Sequence, residues 1–208
     1  MNMKNELHVI SNGHMPFEEL VNVAMQIESE IDYLHIRERE KSTKELYEGV
    51  ESLFKKGFPP SKLVINDRID IAILLNIPRV QLGYRSADVR LVKEKFSYLH
   101  VGYSVHSLDE AIVAFKNGAD SLVYGHVFPT DCKKGVPARG LEEIAHMASC
   151  LSIPITAIGG ITPENTGDVL ANGVSGIAVM SGIISSSNPY SKAKSYKESI
   201  RKWAGKHV

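Results

Sequence analysis

The chain has 208 residues, 43% hydrophobic and 23% charged, ordinary values for one soluble globular domain with a single large core. Lys plus Arg and Asp plus Glu both number 24, so no overall field favours nucleic acid or an anionic membrane surface, and any anion site must be local. There is no apolar run of about 18 residues, and Glu6, His8, Glu18 and Glu19 interrupt any hydrophobic leader, which gives a cytoplasmic location as the default.

Short β-rich runs alternate with amphipathic segments from end to end. In chain order the pattern predicts strand Leu7–Ser11, helix Phe17–Glu30, strand Tyr33–Arg37 and helix Thr43–Lys56, capped by Ser42 or Thr43. Next come strand Leu63–Asn66, helix Asp70–Leu75, strand Val80–Leu82, helix Asp88–Glu94 and strand Leu99–Gly102. Helix Leu108–Asn117 follows, with Ser107 and Glu110 as a capping box. The rest reads as strand Ser121–Tyr124, helix Leu141–Ser149, strand Ile155–Ile158, helix Pro163–Ala171, strand Gly176–Val179 and a last helix near Ser191–Ala204. Eight strand–helix repeats without a linker predict an α/β fold, a single-domain (β/α)8 TIM barrel over residues 1–208. Cys132 and Cys150 are too few and too widely spaced for a zinc motif, and a cytosolic compartment would keep them reduced. Cys150 is expected to pack a helix.

Two strand endings stand out. Thr156-Ala-Ile-Gly-Gly-Ile161 and Val179-Met-Ser-Gly-Ile183 both break from apolar, β-rich residues into glycine or serine. In barrels of this kind the loops after strands 7 and 8, with the start of a short extra helix, often form a phosphate pocket. Gly159 and Gly160 let the backbone approach a ligand, and Ser181 and Gly182 would open the short helix. The plainer alternative, that the glycines only make tight turns, is weakened because the pattern occurs in two consecutive units.

Polar residues at carboxyl ends of barrel strands share one face. These are Arg37 and Arg39, Asn66 and Asp67, Gln81, Ser104 and His106, and His126. Burying so many polar groups would be costly without a ligand, so they are read as lining a pocket. His126 is expected to point into the mouth as a proton carrier, the alternative being a structural histidine on a loop carbonyl. His35 is expected to face the interior. His8 and His100 lie in or at the edge of strands, His146 on a helix and His207 in the tail, and all four are read as structural. Asn66 and Asp67 make an incomplete Mg2+ site, and Asp67 alone reads as a cap for the third helix. Residues 127–140 read as a polar loop suited to a lid, with Lys133 or Lys134 reaching ligand phosphate, the alternative being a merely solvated loop.

The chain resembles the thiamine phosphate synthase superfamily over nearly its whole length. The resemblance rests on His35-Ile-Arg37-Glu-Arg39, Ile65-Asn66-Asp67-Arg68, Gln81-Leu82-Gly83, Gly102-Tyr-Ser104-Val-His106-Ser107, Gly125-His126-Val127-Phe128-Pro129-Thr130, Ala157-Ile-Gly159-Gly160-Ile161 and Val179-Met180-Ser181. It implies that the last two motifs hold a thiazole phosphate and the earlier ones a pyrimidine diphosphate with Mg2+. Synthases of that family usually have Gln and Lys where this chain has His35 and Arg39, Asp where it has Ser86, and Pro where it has His126.

A missing metal carboxylate weakens diphosphate activation, and an added histidine supplies proton transfer. The departures therefore resemble the thiazole tautomerase branch, the synthase-like proteins related to TenI. That resemblance implies an isomerase of thiamine biosynthesis, aromatising 2-carboxy-4-methylthiazol-5(2H)-ylidene ethyl phosphate by acid–base proton transfer without cofactor or metal. His126 would be catalytic; Gly159, Gly160, Met180 and Ser181 would hold the phosphate; Arg37 or a lid lysine such as Lys133 would pair with the carboxylate; and Asn66 and Ser104 would line the substrate site. The alternatives are a Mg2+-dependent thiamine phosphate synthase and a non-catalytic thiazole or thiamine phosphate-binding regulator. The partner expected is the small-molecule thiazole phosphate, with no nucleic acid and no membrane. Family analogy adds a homo-oligomer, dimer or larger.

Overall fold

Strand after strand pairs in parallel with its sequence neighbour, and the last closes on the first, giving a barrel in the order β1 to β8. The computed structural model describes residues 5–133 and 135–206; Lys134 and His207 lie outside the described residues. The strands are β1 Glu6–Ile10, β2 Tyr33–Ile36, β3 Leu63–Asn66, β4 Arg79–Leu82, β5 His100–Val105, β6 Ser121–Gly125, β7 Ile155–Ile158 and β8 Gly176–Val179. Around them lie α1 Phe17–Ile27, α2 Thr43–Lys55, α3 Ile69–Leu74, α4 Val89–Lys95, α5 Leu108–Lys116, α6 Glu142–Cys150, α7 Thr166–Leu170, α8 Ser181–Ile184 and α9 Pro189–Ala204. The expected TIM barrel is what the chain forms. Among the described residues no helix is long and apolar enough to cross a membrane.

Alternation along the strands sorts the two faces of the sheet. Leu7, Val9, Leu34, Ile65 and Ile177 are fully buried in the core shared with helix residues such as Leu20, Ile27, Leu53 and Ile71. Full burial of each large aliphatic contributes roughly 1.5–3 kcal/mol. The inward positions are unusually polar for such a barrel, where branched aliphatics dominate: His35 bonds to both His8 and Asn66, and Gln81 bonds to Ser104.

That polarity explains why β5 runs three residues past its expected end. Tyr103, Ser104 and Val105 stay in the sheet because Ser104 Oγ accepts from Gln81 Nε2 at 3.0 Å. α7 starts later than Pro163, since Asn165 Oδ1 accepts from Thr162 N at 2.8 Å and holds residues 162–165 in a turn. Ser42 and Glu45 form a complete capping box on α2. On α5 only half the expected box forms: Ser107 Oγ accepts from Glu110 N, but the Glu110 carboxylate accepts from His106 N at 2.7 Å instead. Cys150 does not pack a helix; as the last residue of α6 it points outward and is exposed.

At the barrel floor His100 donates to or accepts from Ser121 Oγ at 2.9 Å. Burial first, then Arg79, lowers its pKa to about 4. A histidine neutral in the fold but near 6.5 when unfolded binds its proton in the unfolded chain first. Stability is therefore complete above pH 6.5 and falls as pH drops toward 4. Denaturant titrations should show stability falling over that window, and His100→Gln should reduce the slope, the remainder belonging to the buried His35, which is also held below the usual histidine range.

Candidate functional site

The carboxyl ends of the strands open on one face, and the loop from 127 to 140 lies across it. Its one turn of 3-10 helix, Asp131–Lys133, brings Cys132 Sγ to 4.0 Å from Ser181 Oγ at the start of α8. Lys133 reaches the other way, towards His106 after β5 and towards Arg139. Burial and then the Arg139 charge weaken the hold of the Lys133 ammonium on its proton. Under this loop, between the ends of β4 and β5 and the helices α4 and α5, is a cleft of about 1010 Å³ lined by Ser86, Asp88, Ser104, His106, Lys133 and Arg139.

Opposite the cleft, β7 ends in Gly159 and Gly160 at φ of 102° and 64°, in the left-handed region that favours glycine. The space a side chain would need is filled: a Cβ on Gly159 would sit 2.3 Å from His126 Cβ, and one on Gly160 2.5 Å from the Pro129 carbonyl. Next to them Met180 caps α8, whose first turn begins at Ser181, and the first N–H groups of a helix have no partner within it. Tyr196 of α9 donates to the Ile161 carbonyl at 2.9 Å and ties this corner down. Burial and then Glu164 push its phenol up to about 12. Gly159, Gly160, Met180 and Ser181 thus share one corner.

Arg37, Arg39 and Asp67 form the other polar group. The Arg37 N–H donates to Ser11 Oγ at 2.8 Å, and its half-buried guanidinium has its pKa lowered by burial and then by Arg39, against the opposing charges of Asp67 and Glu38. Asp67 does not cap α3, whose preceding residue is Arg68 and which has no side-chain cap. Held at φ 63°, it accepts from Ser86 Oγ at 2.5 Å and faces Arg39 Nε at 3.9 Å. Ser86 Oγ also accepts from Gly83 N at 2.9 Å. Asn66 points inward onto His35 at 3.3 Å, and His35 is interior as expected.

His126 is placed differently from its expected position in the open mouth. It is 3% exposed, its Nε2–H donates to the Val136 carbonyl at 3.2 Å, and its Nδ1 has no partner among the described residues. The loop seals it beneath the Gly159 backbone. Two groups escaped the sequence reading. Arg139 donates its N–H to the His126 carbonyl at 3.0 Å and lines the cleft; its only signal was a cation between Pro137 and Gly140. The Glu38 carboxylate, 4% exposed, has no hydrogen-bond partner for either oxygen among the described residues. In the sequence it looks like any solvated acid of a loop.

Residues 7–183 match the family model described as thiamine monophosphate synthase. The chain belongs to the thiamine monophosphate synthase family. It is 36% identical over 200 residues to a thiamine-phosphate synthase of Pyrococcus abyssi, covering 96% of this chain and 94% of that one. A thiamine-phosphate synthase of Clostridium acetobutylicum is 36% identical over 181 residues, covering 85% and 84% of the two chains. A solved thiamine phosphate pyrophosphorylase from Pyrococcus furiosus superposes with a TM-score of 0.83 at 30% identity, over 97% of this chain and 98% of that one.

These synthase-family relatives overturn the expectation of a thiazole tautomerase, and with it the isomerase class. The expectation leaned on four replaced side chains, His35, Arg39, Ser86 and His126, read as loss of the diphosphate end and gain of a proton carrier. In the fold Arg37, Arg39, Asp67 and Ser86 keep a carboxylate, a hydroxyl and two guanidinium groups together. His126 meanwhile spends its Nε2 hydrogen on a loop carbonyl.

Proposed function

We propose that this protein is a thiamine-phosphate synthase, a transferase that couples a pyrimidine diphosphate to a thiazole phosphate. The observation that carries the reading is end-to-end similarity to proteins of that name, 36% over 96% of the chain. The geometry supports it with two anion-binding corners on one face: the glycine and α8 corner suits the thiazole phosphate, and the Arg37, Arg39 and Asp67 corner suits the diphosphate.

The reaction implied joins the two rings by a new carbon–nitrogen bond while the diphosphate leaves with the electron pair of its broken carbon–oxygen bond. Among the described residues no three His, Cys, Asp or Glu side chains cluster into a metal cage. Mg2+ needs none, since it binds through one or two carboxylates together with substrate phosphates and water. The donor set fits that mode: Asp67 and Ser86 put a carboxylate and a hydroxyl 2.5 Å apart, and these two would hold the ion. Bound there, Mg2+ would neutralise charge on the departing diphosphate. Arg37 and Arg39 add fixed positive charge on the same side, which Lys133 extends from the loop. Gly159, Gly160 and the N–H groups of Met180 and Ser181 hold the thiazole phosphate so that the two rings meet in one orientation. Loop 127–140 excludes water, which would otherwise compete for the activated pyrimidine carbon.

The test is to incubate the protein with pyrimidine diphosphate, thiazole phosphate and Mg2+, and to follow thiamine phosphate and released pyrophosphate. Both should form in equal amounts, and chelation should stop them. Tight binding of thiazole phosphate with no coupling would reject the synthase in favour of a binding-only protein.

A further inference from the structure

The barrel interior holds a file of side chains that neither anion corner uses. At the floor Glu6 Oε2 lies 3.3 Å from His8 Nε2; His8 Nδ1 lies 2.9 Å from His35 Nε2; and His35 Nδ1 lies 3.3 Å from Asn66 Oδ1 at the mouth. The β1–β2 register, with His8 opposite Tyr33 and Ile10 opposite His35, stacks the two imidazoles one layer apart. The file thus connects the two ends of the barrel.

Counting hydrogens gives it two states. A neutral imidazole has one N–H and one lone pair, so each ring must accept on one side and donate on the other. With both rings neutral, His8 Nε2–H donates to Glu6 and His35 Nε2–H donates to His8 Nδ1. His35 Nδ1 is then an acceptor, which only the Asn66 amide NH2 can satisfy. With one added proton, His8 donates from both nitrogens, to Glu6 and to His35 Nε2. His35 then carries its hydrogen on Nδ1 and gives it to the Asn66 carbonyl oxygen. Which amide atom faces the imidazole is thus dictated by the hydrogen count of the file. With Oδ1 toward His35 the geometry matches the protonated file, and a half-turn of the amide matches the neutral one.

Of the two imidazoles, His35 is the one that resists an added proton. Burial, and then the neighbouring His8, hold His35 well below the usual histidine range. The His8 side chain is 12% exposed and sits beside Glu6, 29% exposed, so the floor is open to proton exchange. From β2 the Tyr33 ring packs tilted against His8 at 4.8 Å, and from β4 the Arg79 guanidinium lies over the Tyr33 ring at 4.6 Å. From β5 His100 faces Arg79 and Glu6, backed by the Lys93–Asp120 ion pair. On the other side β8 places the uncharged Ala178 opposite His8.

We propose that His8 and His35 are positioning residues that pass the state of one proton from the barrel floor to Asn66, turning its amide to offer donors to a bound ring when His8 is protonated and an acceptor when it is not. By reciprocity a ligand that accepts from Asn66 draws the proton onto His8, and one that donates to Asn66 expels it. The contact between Asn66 and the pyrimidine rests on the synthase reading; the switch itself belongs to the free protein.

The full-length protein, labelled with 15N at histidine and free of ligand, should be followed by long-range proton–nitrogen NMR over about pH 5–8. As pH falls, His8 should take up a proton and His35 should move its hydrogen from Nε2 to Nδ1, both with one midpoint. Glu6→Gln removes the charge that stabilises the imidazolium but keeps an acceptor for neutral His8, so it should shift both midpoints together to lower pH. Thermal unfolding of that variant in the neutral state checks that it is folded. A His35 that keeps one tautomer throughout, or two histidines with separate midpoints, overturns the proposal. In turnover, KM for the pyrimidine diphosphate should follow the same midpoint while KM for the thiazole phosphate does not, and a KM flat through the midpoint overturns the link to substrate. A tautomer exchange without any coupling activity upholds the switch and rejects only the synthase reading.

Discussion

Asp67→Asn is expected to lower the rate of Mg2+-dependent coupling by about 10²–10³-fold, the usual cost of losing one preorganised electrostatic partner of a developing charge. Little else should change, which makes the variant informative. Asp67 is held at φ 63°, and Asn tolerates that left-handed conformation as well as Asp does. The amide oxygen can still accept from Ser86 Oγ, and the Gly83 N–H keeps its bond to the same hydroxyl. What disappears is the negative charge. Pyrophosphate release at saturating substrates, titrated with Mg2+, should show the loss while the melting temperature stays near wild type. A rate equal to wild type would remove Asp67 from the diphosphate end, and a collapse of stability would mean that its charge serves the fold.

Gly159→Ala should have the largest effect on stability and should abolish thiazole phosphate binding. The backbone there has φ 102°, and the new methyl would lie 2.3 Å from His126 Cβ and 2.8 Å from His126 Cα. Backbone strain of about 1–2 kcal/mol adds to overpacking of about 1–3 kcal/mol. For a chain of this size, each kcal/mol corresponds to roughly 2–4 °C in melting temperature. Gly57→Ala is the control: Gly57 has φ 92° with nothing within 4 Å of the added methyl, so it carries the strain without the clash. The difference between the two isolates the close packing of β7 on the loop after β6. Equal stability losses would mean that the loop moves aside freely, and retained ligand binding in Gly159→Ala would take this glycine out of the phosphate corner.

Several features of the candidate site could be read residue by residue. Gly159 and Gly160 announced themselves because two glycines after a β-branched run leave few other roles, and both have the positive φ such turns use. Arg37, Asn66, Ser104 and Lys133 could be assigned to one face in advance because each lies at or near a strand's carboxyl end, or in the long polar loop, and barrel topology collects those places there. His126 was found as a residue but misjudged as an environment. Its partner is the Val136 carbonyl, ten residues on, and nothing local to either one signals that the loop folds back over the imidazole. Asp67 was misjudged for a similar reason. A carboxylate just before a helix looks like a cap, while its actual partner, Ser86, belongs to the next strand–helix unit.

By itself the sequence determined the alternation of eight strands with helices, the closure implied by that repeat, and the end of the barrel where the polar strand-end residues gather. Those follow from periods of two and 3.6 residues and from glycine punctuation, all of which are local. Only the tertiary structure decided what these polar residues touch: Asp67 with Ser86, 19 positions apart; His8 with His35, 27 apart; Cys132 with Ser181, 49 apart. The physical reason is register. A strand pattern says that a side chain faces the barrel interior, but which side chain it meets depends on the stagger between neighbouring strands and on how the closed sheet tilts, and no short stretch of residues carries that information.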